Sequence, residues 1–476
     1  FDSLKSNNER VTNYKIFDYT VSFQDVPVIK NKYSEYAHQQ IVKDESMFFG
    51  RDQIIKQLFD SISVCDDNGE YSMRDGNGIV LYGQRRSGKT SILYHLQKKI
   101  IKNAHYTIIV DLGSSGKSIS KESNLLNEEE LQNRNSKMTL QLLYQSIISK
   151  IRSYINFNRD INEINELYKK IKEYEVENET KVFPPDEAFR PDANCQILFN
   201  NFWDTFSNII CKNDTLEKFR VVIMIDEFTY FNAAIQQKYL PNNFMEILKA
   251  ILAGSLITLV VAGQDNTIEF MDQYVNEFMS FHKEWVTFLG EDDSYKMVTE
   301  PIGENRIDPE AAKKLYIFTK GSPFLLMDVC SKLVNWMNEN KILKLSGSLP
   351  DDFLTLKYMK DYEFKEDLLE PQYKDAGRTE WTPEIKMVLG LIARSTSKGV
   401  VSDLVPWNEY NDYATITDDM LEERGILSEK MHEILERLVK RDVIERQDGY
   451  QDKYRIKIPL CREWILRRGG TEYGNE

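Results

Sequence analysis

Gly83-Gln84-Arg85-Arg86-Ser87-Gly88-Lys89-Thr90 fits the pattern G-x-x-x-x-G-K-[ST] without a mismatch. Just upstream, Gly78-Ile79-Val80-Leu81-Tyr82 is a short apolar run that reads as a buried parallel strand. Downstream, Ile92, Leu93, Leu96 and Ile100 recur at helical spacing. A glycine loop between a strand and a helix start aims successive backbone N–H groups, and the positive end of the helix dipole, at one point. The stretch therefore predicts a cradle for a nucleoside triphosphate. Lys89 is expected to reach the β- and γ-phosphates and the Thr90 hydroxyl to bind Mg²⁺. Gly83, Gln84, Arg85, Arg86, Ser87, Gly88 and Ser91 are expected around the anion. A chance match would not need the flanking strand and helix, yet both are there.

Val221-Val222-Ile223-Met224-Ile225-Asp226-Glu227 supplies the second half of such a site. Five apolar residues make a central strand, and two carboxylates follow at its C-terminal end, where open α/β sheets place ligands. Asp226 is the candidate Mg²⁺ ligand and Glu227 the candidate base that polarises an attacking water. The alternative for the pair is a helix N-terminal start stabilised by the helix dipole.

Three more apolar runs, Tyr106 to Val110, Leu256 to Ala262 and Trp285 to Leu289, bring the expected parallel sheet to five strands. Gln264, just past the fourth of these, is the candidate contact to the γ-phosphate or the attacking water; a turn residue capping the strand is the competing reading. Asp66 to Gly78 reads as exposed linker. Phe199, Phe202, Phe206 and Ile210 make an aromatic stripe taken as core. After Pro301, helices at about Pro309 to Phe318 and Phe324 to Asn338, joined by Lys320-Gly321-Ser322-Pro323, are expected to form a lid over the nucleotide. The expected division is an N-terminal arm or domain remnant (1–46), a P-loop core (47–300) with a helical insertion at about 113–192, the lid (301–340), a connector (341–380) and a last domain (381–476).

That last domain reads as helices followed by a two-stranded hairpin, Val443 to Arg446 and Tyr454 to Ile458, which makes a winged helix. Its candidate recognition helix, Ser428 to Lys440 with Arg441 just after it, mixes Lys430, Arg437, Lys440 and Arg441 with Glu429, Glu433 and Glu436. That balance suits a solvated face more than a phosphate-binding one.

The 476-residue chain is 41% apolar and 29% charged, with a net charge of −14. It has room for several domain cores, and its acidity argues against non-specific duplex binding. DNA is thus a partner that the sequence allows without favouring. Five cysteines, with no C-x-x-C pair, suit reduced thiols. Phe1 to Tyr14 carries no signal-peptide pattern, and the longest apolar run, Ala250 to Gly263, is too short to span a bilayer. A cytoplasmic protein without a membrane contact is the expectation.

The order of parts resembles the STAND branch of AAA-type P-loop ATPases, related to origin-recognition and archaeal ATPases. The resemblance rests on Phe49-Gly50-Arg51, the run Gly83 to Leu93, Val222 to Phe228, Val260 to Asp265, and Thr319 to Phe324. It implies Gly50 and Arg51 beside the nucleotide base and Pro323 near the adenine. It also implies an ATP/ADP switch that self-associates or controls an effector protein, often in bacterial antiviral defence. Many members carry an arginine where this chain has Gln264. If subunits share sites, a trans-acting arginine is implied, with Arg306 the candidate and a surface ion pair its alternative.

Overall fold

Five parallel strands carry the glycine loop: β1 (Gly78–Tyr82), β2 (Thr107–Asp111), β3 (Arg220–Ile225), β4 (Ile257–Ala262) and β5 (His282–Trp285). In this computed structural model they lie in the order β2-β3-β4-β1-β5, and each neighbouring pair is parallel. The structure describes residues 2–4, 10–12, 27–37, 41–74, 76–113, 128–189, 194–236, 238, 240–252, 256–264, 267, 270, 281–346, 349–358, 383–395, 413–417, 419–420 and 428–468. Within them, β1 to β4 are almost wholly buried, as a parallel sheet covered on both faces requires.

The fifth strand departs from the expected 285–289. It pairs His282 to Trp285 with Ile79 to Tyr82, and ends where its partner turns into the loop at Gly83. Val286 adds one last bond, its N–H to the Tyr82 carbonyl at 2.8 Å. His282, Lys283 and Glu284 sit on a sheet edge, where charged residues are at home and leave no apolar run to read. The expected linker 66–78 is also partly ordered as sheet. Ser63–Cys65 and Tyr71–Met73 pair antiparallel, and the Asp66 carboxylate accepts from the Asn68 and Glu70 N–H groups at 3.0 and 2.9 Å to shape the turn.

One face of the sheet is covered by α1 (Asp52–Ile62) and α2 (Lys89–Asn103), through Leu58, Ile92, Leu96 and Ile100. The other carries α3 (Glu128–Phe157), α4 (Asn162–Glu177) and α5 (Cys195–Cys211). Phe199, Phe202, Phe206 and Ile210 are buried there, so the aromatic stripe is core. Most of the polar stretch 113–130 lies outside the described residues. Two short helices, α6 (Thr229–Gln236) and α7 (Phe244–Leu252), follow β3.

The helical layer consists of α8 (Glu291–Thr299), α9 (Pro309–Thr319) and α10 (Pro323–Glu339). It opens at α8, so the expected boundary at 301 falls inside it. The C-terminal unit comprises α11 (Pro383–Ser395), β6 (Ala414–Thr415), α12 (Ser428–Lys440), β7 (Ile444–Arg446), β8 (Lys453–Ile456) and α13 (Pro459–Arg468). Its strands pair antiparallel in the order β6-β8-β7, which completes a winged helix. Leu315, Leu325 and Val329 of the layer share one apolar core with Val388, Leu435 and Cys461 of the winged helix. The fold is that of a P-loop NTPase with a helical layer and a C-terminal winged helix.

Candidate nucleotide site

A cavity of about 350 Å³ opens at the C-terminal ends of β1, β3 and β4. Because β4 lies between β1 and β3, the residue just past it is held between the glycine loop and the acid pair. That residue is Gln264. Arg85, Arg86, Ser87, Gly88, Lys89, Thr90 and Ser91 line one wall, Asp226, Glu227 and Gln264 the next, and Pro323 and Phe324 of α10 a third.

The loop is shaped by Gly88, whose φ of 94° puts it in the left-handed region that glycine adopts without a Cβ penalty. It leads straight into α2 with no side-chain cap, leaving first-turn N–H groups without a partner inside the helix. Lys89 folds back over the loop. Its Nζ donates to the carbonyls of Gly83 (3.0 Å) and Gln84 (2.6 Å) and lies 3.4 Å from Ser87 Oγ. A cation held there sits over the anion cradle.

Thr90 donates its hydroxyl proton to Asp226 Oδ2 at 2.7 Å, and Asp226 Oδ1 accepts from the Glu227 N–H at 2.8 Å. Burial raises the Asp226 carboxyl above its ordinary range, with the neighbouring Glu227 charge adding to the rise; the Thr90 bond and Lys89 oppose it. A hydroxyl beside a half-buried carboxylate is a hard-oxygen donor set of the kind that suits Mg²⁺ together with phosphate oxygens. Glu227 has φ 55°, a left-handed backbone that costs a non-glycine residue energy. Gln264 Nε2 lies 3.4 Å from Glu227 Oε2.

Other expected residues take different places. Arg51 lines the cavity, but its guanidinium donates to the Ser87 carbonyl (3.2 Å) and the Thr287 carbonyl (2.6 Å), which braces the loop from below. Desolvation lowers its pKa to about 10, so it stays charged at neutral pH. Gly50 does not line the cavity; the Asp293 side chain packs where its Cβ would be. Gly83 and Gln84 also stand outside the lining, their carbonyls holding Lys89. The Gln84 amide instead donates to the Arg441 carbonyl at 3.0 Å and to the Asp442 carbonyl, just beyond α12. Ser91 Oγ accepts from the Val42 N–H at 3.1 Å. Pro323 opens α10 after Gly321, whose φ of 73° and close approach to the Leu289 carbonyl oxygen exclude a side chain. Arg306 sits in a turn at residues 304–306 and does not line the cavity.

Tyr36, Ile41, Val42 and Phe48 line the cavity as well, and no motif pointed to them. Phe324, the last residue of the Thr319 to Phe324 stretch, lines it too, its ring centroid 4.5 Å from the Arg86 guanidinium. These residues meet the loop only through tertiary packing.

No protein-family model matches the chain, and no curated protein matches it. Among solved structures it is similar to a Walker-type ATPase of Pyrococcus abyssi, at 14% identity and a TM-score of 0.48, covering 89% of this chain and 97% of that one. It is similar to Cdc6p from Pyrobaculum aerophilum at 13% identity and a TM-score of 0.40, covering 92% and 97%. It is also similar to the RuvB Holliday junction branch migration motor of Thermotoga maritima at 11% identity and a TM-score of 0.38, covering 87% and 95%. At these values, it is the chain's own strand order and glycine loop that identify it as a P-loop NTPase by fold.

Proposed function

We propose that this chain is an AAA-type ATPase that binds ATP and ADP with Mg²⁺, hydrolyses slowly and acts as a conformational switch. The observation that carries the reading is the Thr90–Asp226 hydrogen bond beside Lys89, which gathers a cation, a hydroxyl and two acids around one cavity. In this reading Lys89 neutralises the β- and γ-phosphates, while Thr90 and Asp226 hold the Mg²⁺. The ion supplies charge neutralisation on the phosphate oxygens. Glu227 accepts a proton from the attacking water, and Gln264 orients that water.

A switch follows from what surrounds the loop. Gln84 is tied to the winged helix, Arg86 stacks on the helical layer, and Ser91 holds the segment at Val42. A phosphate that reshapes the loop therefore acts on three separate parts of the chain. In the STAND-like form of the proposal, ATP drives self-association that turns on an effector protein, in bacterial antiviral defence in the cytoplasm. The DNA-remodelling alternative has less support. Lys430 pairs with Glu384 (2.6 Å), Arg455 with Glu445 (2.6 Å), Arg446 with Glu436 and Lys457 with Asp442, so these basic side chains are already matched by acids. Among the described residues no helix is long and apolar enough to cross a membrane.

Light scattering of the whole chain with ADP, and with a non-hydrolysable ATP analogue, tests the switch. A larger particle with the analogue is expected. One unchanged mass in both states would remove the self-association reading.

A further inference from the structure

The turn after β4 is fixed from several directions. Gly263 donates its N–H to the Leu81 carbonyl of β1 at 2.8 Å, and Phe228, the residue after Glu227, donates to the Ala262 carbonyl at 2.7 Å. Thr267 closes the turn by donating its N–H to the Gln264 carbonyl at 3.0 Å. Further on, Phe270 is buried with its ring centroid 5.7 Å from that of Phe228. The segment that carries Gln264 is thereby tied to the segment that carries Glu227 by a main-chain bond and a ring contact. Gln264 itself is buried, lines the cavity and holds Nε2 3.4 Å from Glu227 Oε2.

Inside this turn lies a fit that the strand ends do not account for. Thr267 is fully buried, and its hydroxyl has no hydrogen-bond partner among the described residues. A buried hydroxyl without a partner destabilises the fold, so hydrogen bonding is not what this side chain contributes. Its Oγ1 fills the space that a Cβ on Gly263 would need, and its Cβ and methyl carbon lie 3.1 Å from that point. Gly263 is not in the left-handed region, so its backbone conformation does not call for glycine. It is the Thr267 side chain that requires the bare position. The two residues interlock, one just before Gln264 in sequence and the other just after it.

We propose that Thr267 is a positioning residue for hydrolysis: packed over Gly263, it fixes the turn that holds the Gln264 amide beside Glu227. The inference rests on the hydrolytic reading of Gln264 and Glu227 and deepens it. Thr267 acts by shape and touches neither phosphate nor water. Its loss frees the turn, which costs alignment of the attacking water and leaves the phosphate contacts of the glycine loop in place.

Steady-state ATP hydrolysis by the whole chain, with ADP calorimetry and a melting curve for each variant, tests this. Thr267→Ala empties the space over Gly263 and should lower kcat about fivefold, with KM and ADP affinity changed less than about twofold. Thr267→Val refills that space without a hydroxyl and should recover kcat to within about twofold of wild type. Gly263→Ala drives the turn off Thr267 and should lower kcat about tenfold. In a Gln264→Ala background, Thr267→Ala should slow turnover no further, because the group it positions is gone. Wild-type turnover in Thr267→Ala, or a second loss in the Gln264→Ala background, would overturn the interlock. So would a Thr267→Val chain as slow as Thr267→Ala. A parallel loss of ADP binding would overturn it too, since the turn would then support the whole site rather than Gln264. A wild-type chain that binds ADP and hydrolyses no ATP would overturn the hydrolytic reading, and the role of Thr267 with it.

Discussion

The Thr90 hydroxyl and the Asp226 carboxylate, 136 positions apart in sequence, meet at 2.7 Å and join the first turn of α2 to the end of β3. The carboxylate is half-buried, and desolvation, with the neighbouring Glu227 charge, holds its folded-state pKa above the ordinary aspartate value. Keeping it ionised therefore costs stability, a cost absent at low pH that sets in as pH rises through the folded value. Asp226→Asn should raise the melting midpoint of the ligand-free protein at neutral pH and abolish the tightening of ADP binding by Mg²⁺. Calorimetry with and without Mg²⁺ checks both halves, and a lowered midpoint would contradict the burial penalty.

Lys89 is half-buried, and the bonds of its Nζ to Gly83, Gln84 and Ser87 stay within its own loop, so its loss should not unfold the chain. Lys89→Ala should weaken ADP binding by about 100-fold, the equivalent of about 3 kcal/mol for charge-assisted bonds to phosphate. Equal ADP affinities in wild type and variant would show that phosphate is not read by this side chain.

Glu227 and Gln264 lie together at 3.4 Å, and only the first can accept a proton from water. Glu227→Gln should keep ATP binding and slow turnover by about 100-fold or more, within the range for general-base loss. Gln264→Ala should slow it less. Phosphate-release assays decide, and undiminished turnover in the Glu227 variant would remove it as the base.

Gln84 ties the loop to the Arg441 and Asp442 carbonyls. In Gln84→Ala the winged helix should loosen, at a cost of about 1 kcal/mol. Faster hydrogen exchange over 441–457, with none over α4, is the expected signature. Unaltered exchange over 441–457 would mean that the apolar core between the layer and the winged helix holds the docking alone.

His95 is buried against Phe48, and desolvation lowers its pKa below 6.5 while the Val42 carbonyl partly offsets this. The unfolded chain then binds the proton more readily, so stability should be full above 6.5 and fall as pH drops toward the folded value. Denaturant melts between pH 8 and 5 should show that slope in wild type and a shallower one in His95→Gln.

Much of the fold was legible because it depends on local order. Gly83 to Thr90 and Val221 to Glu227 place a turn, a strand and a charge within one short run each, and their meaning survives without neighbours. β5 was misplaced by three residues because His282, Lys283 and Glu284 form an edge strand with no apolar pattern. α13 and β6 went unread too: α13 carries Arg462 and Glu463 inside the core, so its charges disguise a buried helix, and β6 spans only two residues.

What the sequence determined by itself was the chemistry of the loop and the acid pair, since glycine freedom, a helix start and a strand end are properties of adjacent residues. Tertiary structure alone decided which distant residues share the cavity with them. Val42 reaches Ser91, Gln84 reaches Asp442, Arg51 turns under the loop instead of facing outward, and β4 carries Gln264 between the two halves. Such meetings are set by the order in which strands pack and by which apolar faces must be covered, and those are properties of the whole chain.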